Sequence, residues 1–75
     1  MKHYLEQNTT YKAQIVLSGL NKMATNNMVA DKLKGVGFTF VTVSGTGDKR
    51  EAKGKWSNPS QEVEVPEQVK QIEKI

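Results

Sequence analysis

The chain has no cysteine, a single histidine and no apolar run longer than three residues. Without cysteine there is no disulfide framework and no thiolate metal site, so the hydrophobic core alone must hold the fold. Apolar runs such as Ile15-Val16-Leu17 are far too short to cross a bilayer. Residues 1–7 contain Lys2 but no apolar stretch, so no signal peptide is read there, and a cytoplasmic protein without a membrane partner is expected. Seventy-five residues make one domain at most. A chain of this length buries only about 60% of its unfolded surface, which leaves little room for a deep enclosed active site.

Charge of one sign is also scarce. Eleven Lys/Arg against eight Asp/Glu give a net charge of +3 and a pI near 9.3. By segment, residues 1–35 and 36–56 carry a modest positive surplus, and residues 57–75 are net negative. No segment is strongly basic. The 36% hydrophobic content, regularly alternating, argues against disorder.

Residues 1–10 have weak periodicity and read as a flexible N-terminal arm or a short edge segment, leaving 11–75 as a single domain. Tyr11, Ala13, Ile15 and Leu17 then alternate with Lys12, Gln14, Val16 and Ser18, the period-two pattern of a half-buried strand. A helix is predicted over roughly 22–35, capped by Asn21 or Thr25 and ended by Gly35. Met28, Val29, Leu33 and Val36 form its apolar face. Residues 38–43, all β-branched or aromatic, are the clearest strand. A turn over 45–48, a returning strand over 50–56, a turn at Pro59 and a strand over 61–65 follow. Pro66 can open a final helix with Val69 and Ile72 as its stripe. The predicted fold class is α+β, of order β-α-β-β-β-α: one mixed or antiparallel sheet with two helices packed on one face.

Two hairpins set the expected facing. Pairing 50–56 with 61–65 brings Lys55 opposite Glu62 and Lys53 opposite Glu64, with Gly54 and Ala52 opposite Val63 and Val65. Such charge pairs contribute roughly 0.2–1 kcal/mol each and fix register more than they stabilise. In the preceding hairpin, a three-residue loop places Phe38 and Phe40 on the buried face with Trp56, Phe40 covering Gly54. A four-residue loop flips every side chain. The first register is preferred because it buries three aromatics together. It leaves Val41 and Val43 facing outward beside Val16.

Several constellations resemble chemistry and are better read otherwise. His3 has no ligand or orienting acid nearby, so no metal and no acid–base relay is expected. Glu62 and Glu64 share a face, but an open sheet with lysines opposite does not raise a carboxyl pKa. Gly45-Thr46-Gly47-Asp48-Lys49 lacks the spacing of a phosphate loop and is followed by a strand. No catalytic residue and no cofactor is expected. Two surfaces remain: Val16, Val41 and Val43 as a contact for a protein partner or a homodimer, and Lys49, Arg50, Lys53 and Lys55 as a contact for RNA or DNA, helped by Lys32 and Lys34.

Short stretches resemble two known families. Ile15-Val16-Leu17-Ser18-Gly19-Leu20 is similar to the first-strand motif of RNA-recognition motifs, and Glu64-Val65-Pro66-Glu67-Gln68-Val69 to their junction of third strand and helix. The stacking aromatics of that family have no counterpart here, Val16 standing where the first belongs. Gly37-Phe38 and Val63-Glu64-Val65-Pro66 resemble elements of HicA-type RNA-cleaving toxins, whose histidine is absent between Ser44 and Asp48. Neither set of functional residues carries over, and the chain is assigned to neither family.

The expectation is therefore a small non-enzymatic binding or regulatory module that occupies a larger protein partner, of the kind phages and mobile elements encode. A small RNA- or DNA-binding domain using the basic 49–56 hairpin is the alternative.

Overall fold

The computed structural model describes residues 2–75. Their backbone runs as β1 (Lys2–Leu5), β2 (Thr9–Val16), a 3-10 turn (Gly19–Met23), α1 (Asn26–Val36), β3 (Phe38–Thr46), β4 (Lys49–Trp56), β5 (Gln61–Glu64) and β6 (Val69–Lys74). The strands form a four-stranded sheet of order β3-β4-β2-β6 and a two-stranded sheet of β1 and β5, antiparallel throughout. Because β2 and β3 both run against β4, they are parallel to each other, and α1 links them across the sheet. The expected single sheet under two helices is thus corrected to two sheets and one α-helix.

The helix starts where a cap was expected. The Thr25 hydroxyl accepts from the Met28 N–H at 3.2 Å, satisfying one of the donors a helix start leaves open. It runs past Gly35 and stops at Gly37, whose N–H meets the Leu33 and Lys34 carbonyls. Gly37 has φ of 131°, and a Cβ there would lie 2.8 Å from Asn58 Nδ2 and 2.9 Å from Trp56 Cζ3. Both conformation and space therefore demand glycine. Val29, Ala30 and Leu33 are the buried residues of α1.

The inner sheet face joins these helix residues in one core. Tyr11 and Ile15 of β2, Ala52 and Trp56 of β4, Phe38 of β3 and Val69 of β6 are buried in it. Phe38 meets Trp56 edge to face, with ring centroids 5.3 Å apart. The Trp56 indole N–H is satisfied by the Pro59 carbonyl at 3.1 Å.

Three local expectations fail for physical reasons. The first is the arm over residues 1–10. Residues 2–5 instead form β1, Leu5 is completely buried, and Thr9 and Thr10 already belong to β2. The second is the hairpin of 50–56 with 61–65. β4 is instead a central strand, held by β3 on one edge and by an eight-position register with β2 on the other. β5 pairs with β1, Tyr4 facing Glu62 and Lys2 facing Glu64. The third is the final helix. Val69 and Ile72 are three apart, as on a helix, but a bulge at Lys70 shifts the register so that they face Ile15 and Ala13 on the same side of a strand.

Candidate functional site

The outer face of the four-stranded sheet is a polar platform built rung by rung. Thr39, Lys55 and Thr10 form one rung, and Thr42, Lys53, Lys12 and Glu73 the next. Ser44, Glu51, Gln14 and Gln71 follow, then Thr46, Lys49 and Val16. β4 supplies the lysines because its alternation is strict: Arg50, Ala52, Gly54 and Trp56 are buried, while Lys49, Glu51, Lys53 and Lys55 point the other way. At the turn end the face dips into a depression of about 360 Å³, lined by Gln14, Val16, Ser44 and Lys49 among others.

The expected partners of Lys53 and Lys55 are elsewhere, since Glu62 and Glu64 sit on β5 against β1. Lys53 instead faces Lys12 and Thr42, and Lys55 faces Thr10 and Thr39. Lys12 does meet a carboxylate, Glu73, at 3.5 Å. Among the described residues neither Lys53 nor Lys55 has a carboxylate within ion-pair distance. Lys12 and Lys53 are like charges facing each other across the central strands, offset in part by Glu73 beside Lys12 and by Glu51 between Lys49 and Lys53.

Arg50 does not belong to this face. It is only 7% exposed, and its guanidinium donates to the Gly47 carbonyl at 3.1 Å, to Asn26 Oδ1 at 2.8 Å and to the Lys22 carbonyl at 3.0 Å. Asn26 Nδ2 in turn donates to the Gly45 carbonyl at 3.2 Å. Arg50 thus clamps the β3–β4 turn to the start of α1, and its expected place beside Lys49 at an exposed tip is corrected. Lys32 and Lys34 are also apart from the platform, because α1 packs on the inner side.

The three valines do not form one outward stripe. Val16 is exposed on the outer face, whereas Val41 and Val43 are half-buried and pack against the core. The cause is a bulge in β3. Phe38 opposes Trp56 in the register expected of a three-residue loop, but Thr42 opposes Lys53 in the other register, with Phe40 and Val41 between. Both registers coexist, one on each side of the bulge. Phe38 and Val41 cover Gly54, the role expected of Phe40.

Phe40 is the residue displaced by this arrangement. Its φ is 52°, in the left-handed region, where a side chain costs roughly 1–2 kcal/mol. The residue is 84% exposed and takes no part in the core. It stands on the edge strand between the rungs that carry Lys55 and Lys53. Nothing in residues 38–43 distinguishes Phe40 from Phe38 beforehand, and only the bulge separates their fates.

Elsewhere, an apolar groove of about 200 Å³ lies between α1 and the entry to β6, lined by Leu17, Met28, Val29, Lys32, Pro66 and Val69. His3 is half-buried on β1 opposite Val63. Among the described residues no cluster of three histidine or acidic side chains is placed to hold a metal ion. Among the described residues no helix is long and apolar enough to cross a membrane. No protein-family model, curated protein or solved structure matches the chain.

Proposed function

We propose that this protein is a non-enzymatic nucleic-acid-binding module that uses the outer face of its four-stranded sheet. The observation that supports the reading is the pair Lys53 and Lys55, which point from a central strand without a carboxylate opposite, Lys53 facing Lys12 on β2; the same face also carries Lys49, with Glu51 between Lys49 and Lys53 and Glu73 beside Lys12. Lysines on a polar face suit a polyanion, because each phosphate neutralised releases counterions to solution. Thr10, Thr42, Ser44 and Gln14 supply hydrogen-bonding groups between them.

The test is a salt titration with fluorescent RNA and DNA. Binding is expected at about 50 mM salt and a steep loss towards about 200 mM. Replacing Lys53 and Lys55 by Gln should lower the slope by about one for each lysine. Absence of binding at low salt overturns the reading.

A second reading, capture of a protein partner, is supported by Met28, exposed beside the apolar groove. It predicts that Met28→Asp abolishes capture and leaves oligonucleotide affinity unchanged.

A further inference from the structure

The groove between α1 and the entry to β6 has fixed walls and almost no polar lining. Val29 and Leu33 line it from a helix held at its start by the Thr25 cap, Pro66 and Val69 from the approach to β6, and Ile15 and Leu17 from the end of β2. The backbone donors on the strand side have partners. The Val16 N–H donates to the Gln68 carbonyl at 2.9 Å, the Leu17 N–H to the Asp48 carbonyl at 2.7 Å and the Val69 N–H to the Pro66 carbonyl at 3.0 Å. Those of the helix are used within α1. Besides the Gln68 amide, the polar group of the lining is Lys32, which among the described residues is its sole charge. Three and four residues from Lys32 stand Met28, Val29, Gly35 and Val36, so no carboxylate faces it along the helix. Among the described residues it forms no ion pair. The neighbouring acids Asp31 and Glu67 are not part of the lining.

From this lining we infer that the groove binds a small aliphatic carboxylate, its hydrocarbon chain along the apolar walls and its carboxylate at Lys32. The site lies on the helix side of the sheet, so it stands or falls separately from the lysine face. Three properties select this ligand. A lone cation at an apolar groove favours an occupant that joins an apolar body to one negative charge. A volume of about 200 Å³ is too small for a drug-sized molecule, which needs about 300 Å³ or more. An apolar cavity of about 150 Å³ takes benzene, so roughly eight carbon atoms fit here. Finally, a peptide laid in the groove would bring an N–H and a carbonyl per residue and meet little besides the Gln68 amide. A hydrocarbon chain makes no such demand. Met28, exposed at the rim, is an unbranched side chain suited to filling the space around it.

The experiment titrates the whole nitrogen-15-labelled protein with hexanoate, octanoate, decanoate and octanol, following its amide resonances. Two variants accompany it: Lys32→Gln, and Ala24→Phe, which fills the groove from a half-buried position on its lining. A thermal melt establishes that both are folded. Octanoate is expected to saturate the amides of Ala24, Met28, Lys32 and Val69 with a Kd of about 1 mM or below. Affinity should rise roughly two- to fourfold per methylene from hexanoate to octanoate, and should gain little more with decanoate, whose chain outgrows the groove. Octanol should bind roughly threefold more weakly than octanoate. Lys32→Gln should lower octanoate to the level of octanol and leave octanol unchanged, and Ala24→Phe should abolish both. Shifts that scatter over the surface without saturating, or equal affinities for hexanoate and octanoate, overturn the site. Octanol binding as tightly as octanoate, with Lys32→Gln neutral, overturns the carboxylate. Tighter saturation of the same amides by the capped peptide acetyl-Leu-Leu-Glu-amide overturns the ligand and makes a protein segment the occupant.

Discussion

Arg50 Nη1 donates to Asn26 Oδ1 at 2.8 Å, joining the β4 end of a hairpin to the first turn of the helix. The same guanidinium satisfies two backbone carbonyls, at Gly47 and Lys22, so one side chain ties three separate segments. Removing it leaves Asn26 and both carbonyls short of a donor in a half-buried setting. Arg50→Met should therefore cost about 2 kcal/mol, and lower the melting midpoint by roughly 10 °C in a domain of this size. Arg50→Lys should recover little, because an ammonium cannot reproduce the planar fork. A thermal melt of the two variants checks this, and a midpoint within about 2 °C of wild type would show the clamp to be incidental.

Phe40 should respond in the opposite direction. Its ring buries little, and its backbone sits where asparagine is at ease. Phe40→Asn is expected to stabilise the protein by about 1 kcal/mol, raising the midpoint by roughly 5 °C. Chemical denaturation gives the sign directly. A destabilised variant would mean that the ring contributes to the fold.

At Gly37 the fold has no slack. A methyl group there meets the Trp56 ring and Asn58, and the backbone angle is unfavourable for any L side chain. Gly37→Ala should cost roughly 1–3 kcal/mol. Gly35→Ala is the control: the space around Gly35 is open and it lies within α1, so the change should be neutral or stabilise by up to about 1 kcal/mol. Equal melting midpoints for the two variants would refute the close packing.

These contrasts show where local pattern suffices. Thr25 was identifiable as a cap because a hydroxyl residue precedes the apolar helical period. The inward set of β2 was readable from strict alternation, and so was that of β4: the parity that sends Lys53 and Lys55 outward also sends Arg50 inward. The partners of strands were not readable. Lys53 and Lys55 match Glu64 and Glu62 over a short turn, yet β2 offers β4 a longer register, and β1 takes β5 from the opposite end of the chain. Such pairings are decided by the whole core, where Leu5 and Val65 are buried together with Trp56. The bulges at Phe40 and Lys70 hid what remained, since one inserted residue makes a strand imitate a helical stripe or reverses the facing of two valines.

Lys74 links the last strand to the first connection of the chain. Its Nζ lies 2.8 Å from Glu6 Oε2, while the Glu6 N–H donates to the Tyr11 hydroxyl at 2.7 Å. The hydrogen bond to Glu6 holds the Lys74 pKa above the ordinary lysine value, outweighing the opposing effect of desolvation, and the charge interactions with Glu6 and Tyr11 act in the same direction as the hydrogen bond. A pKa raised on folding means that the folded state holds the proton more tightly than the unfolded one. The stabilisation is therefore fully present below the unfolded-state lysine pKa, and is lost as pH climbs through the higher folded-state value. Both side chains are about half exposed, so the contribution is small and screened by salt. Denaturant midpoints of wild type and Lys74→Gln should differ by a constant small amount around neutral pH. The difference should shrink in high salt and vanish in the strongly alkaline range. A difference that persists there would assign the effect of Lys74 to packing of its aliphatic stem against β2 rather than to its charge.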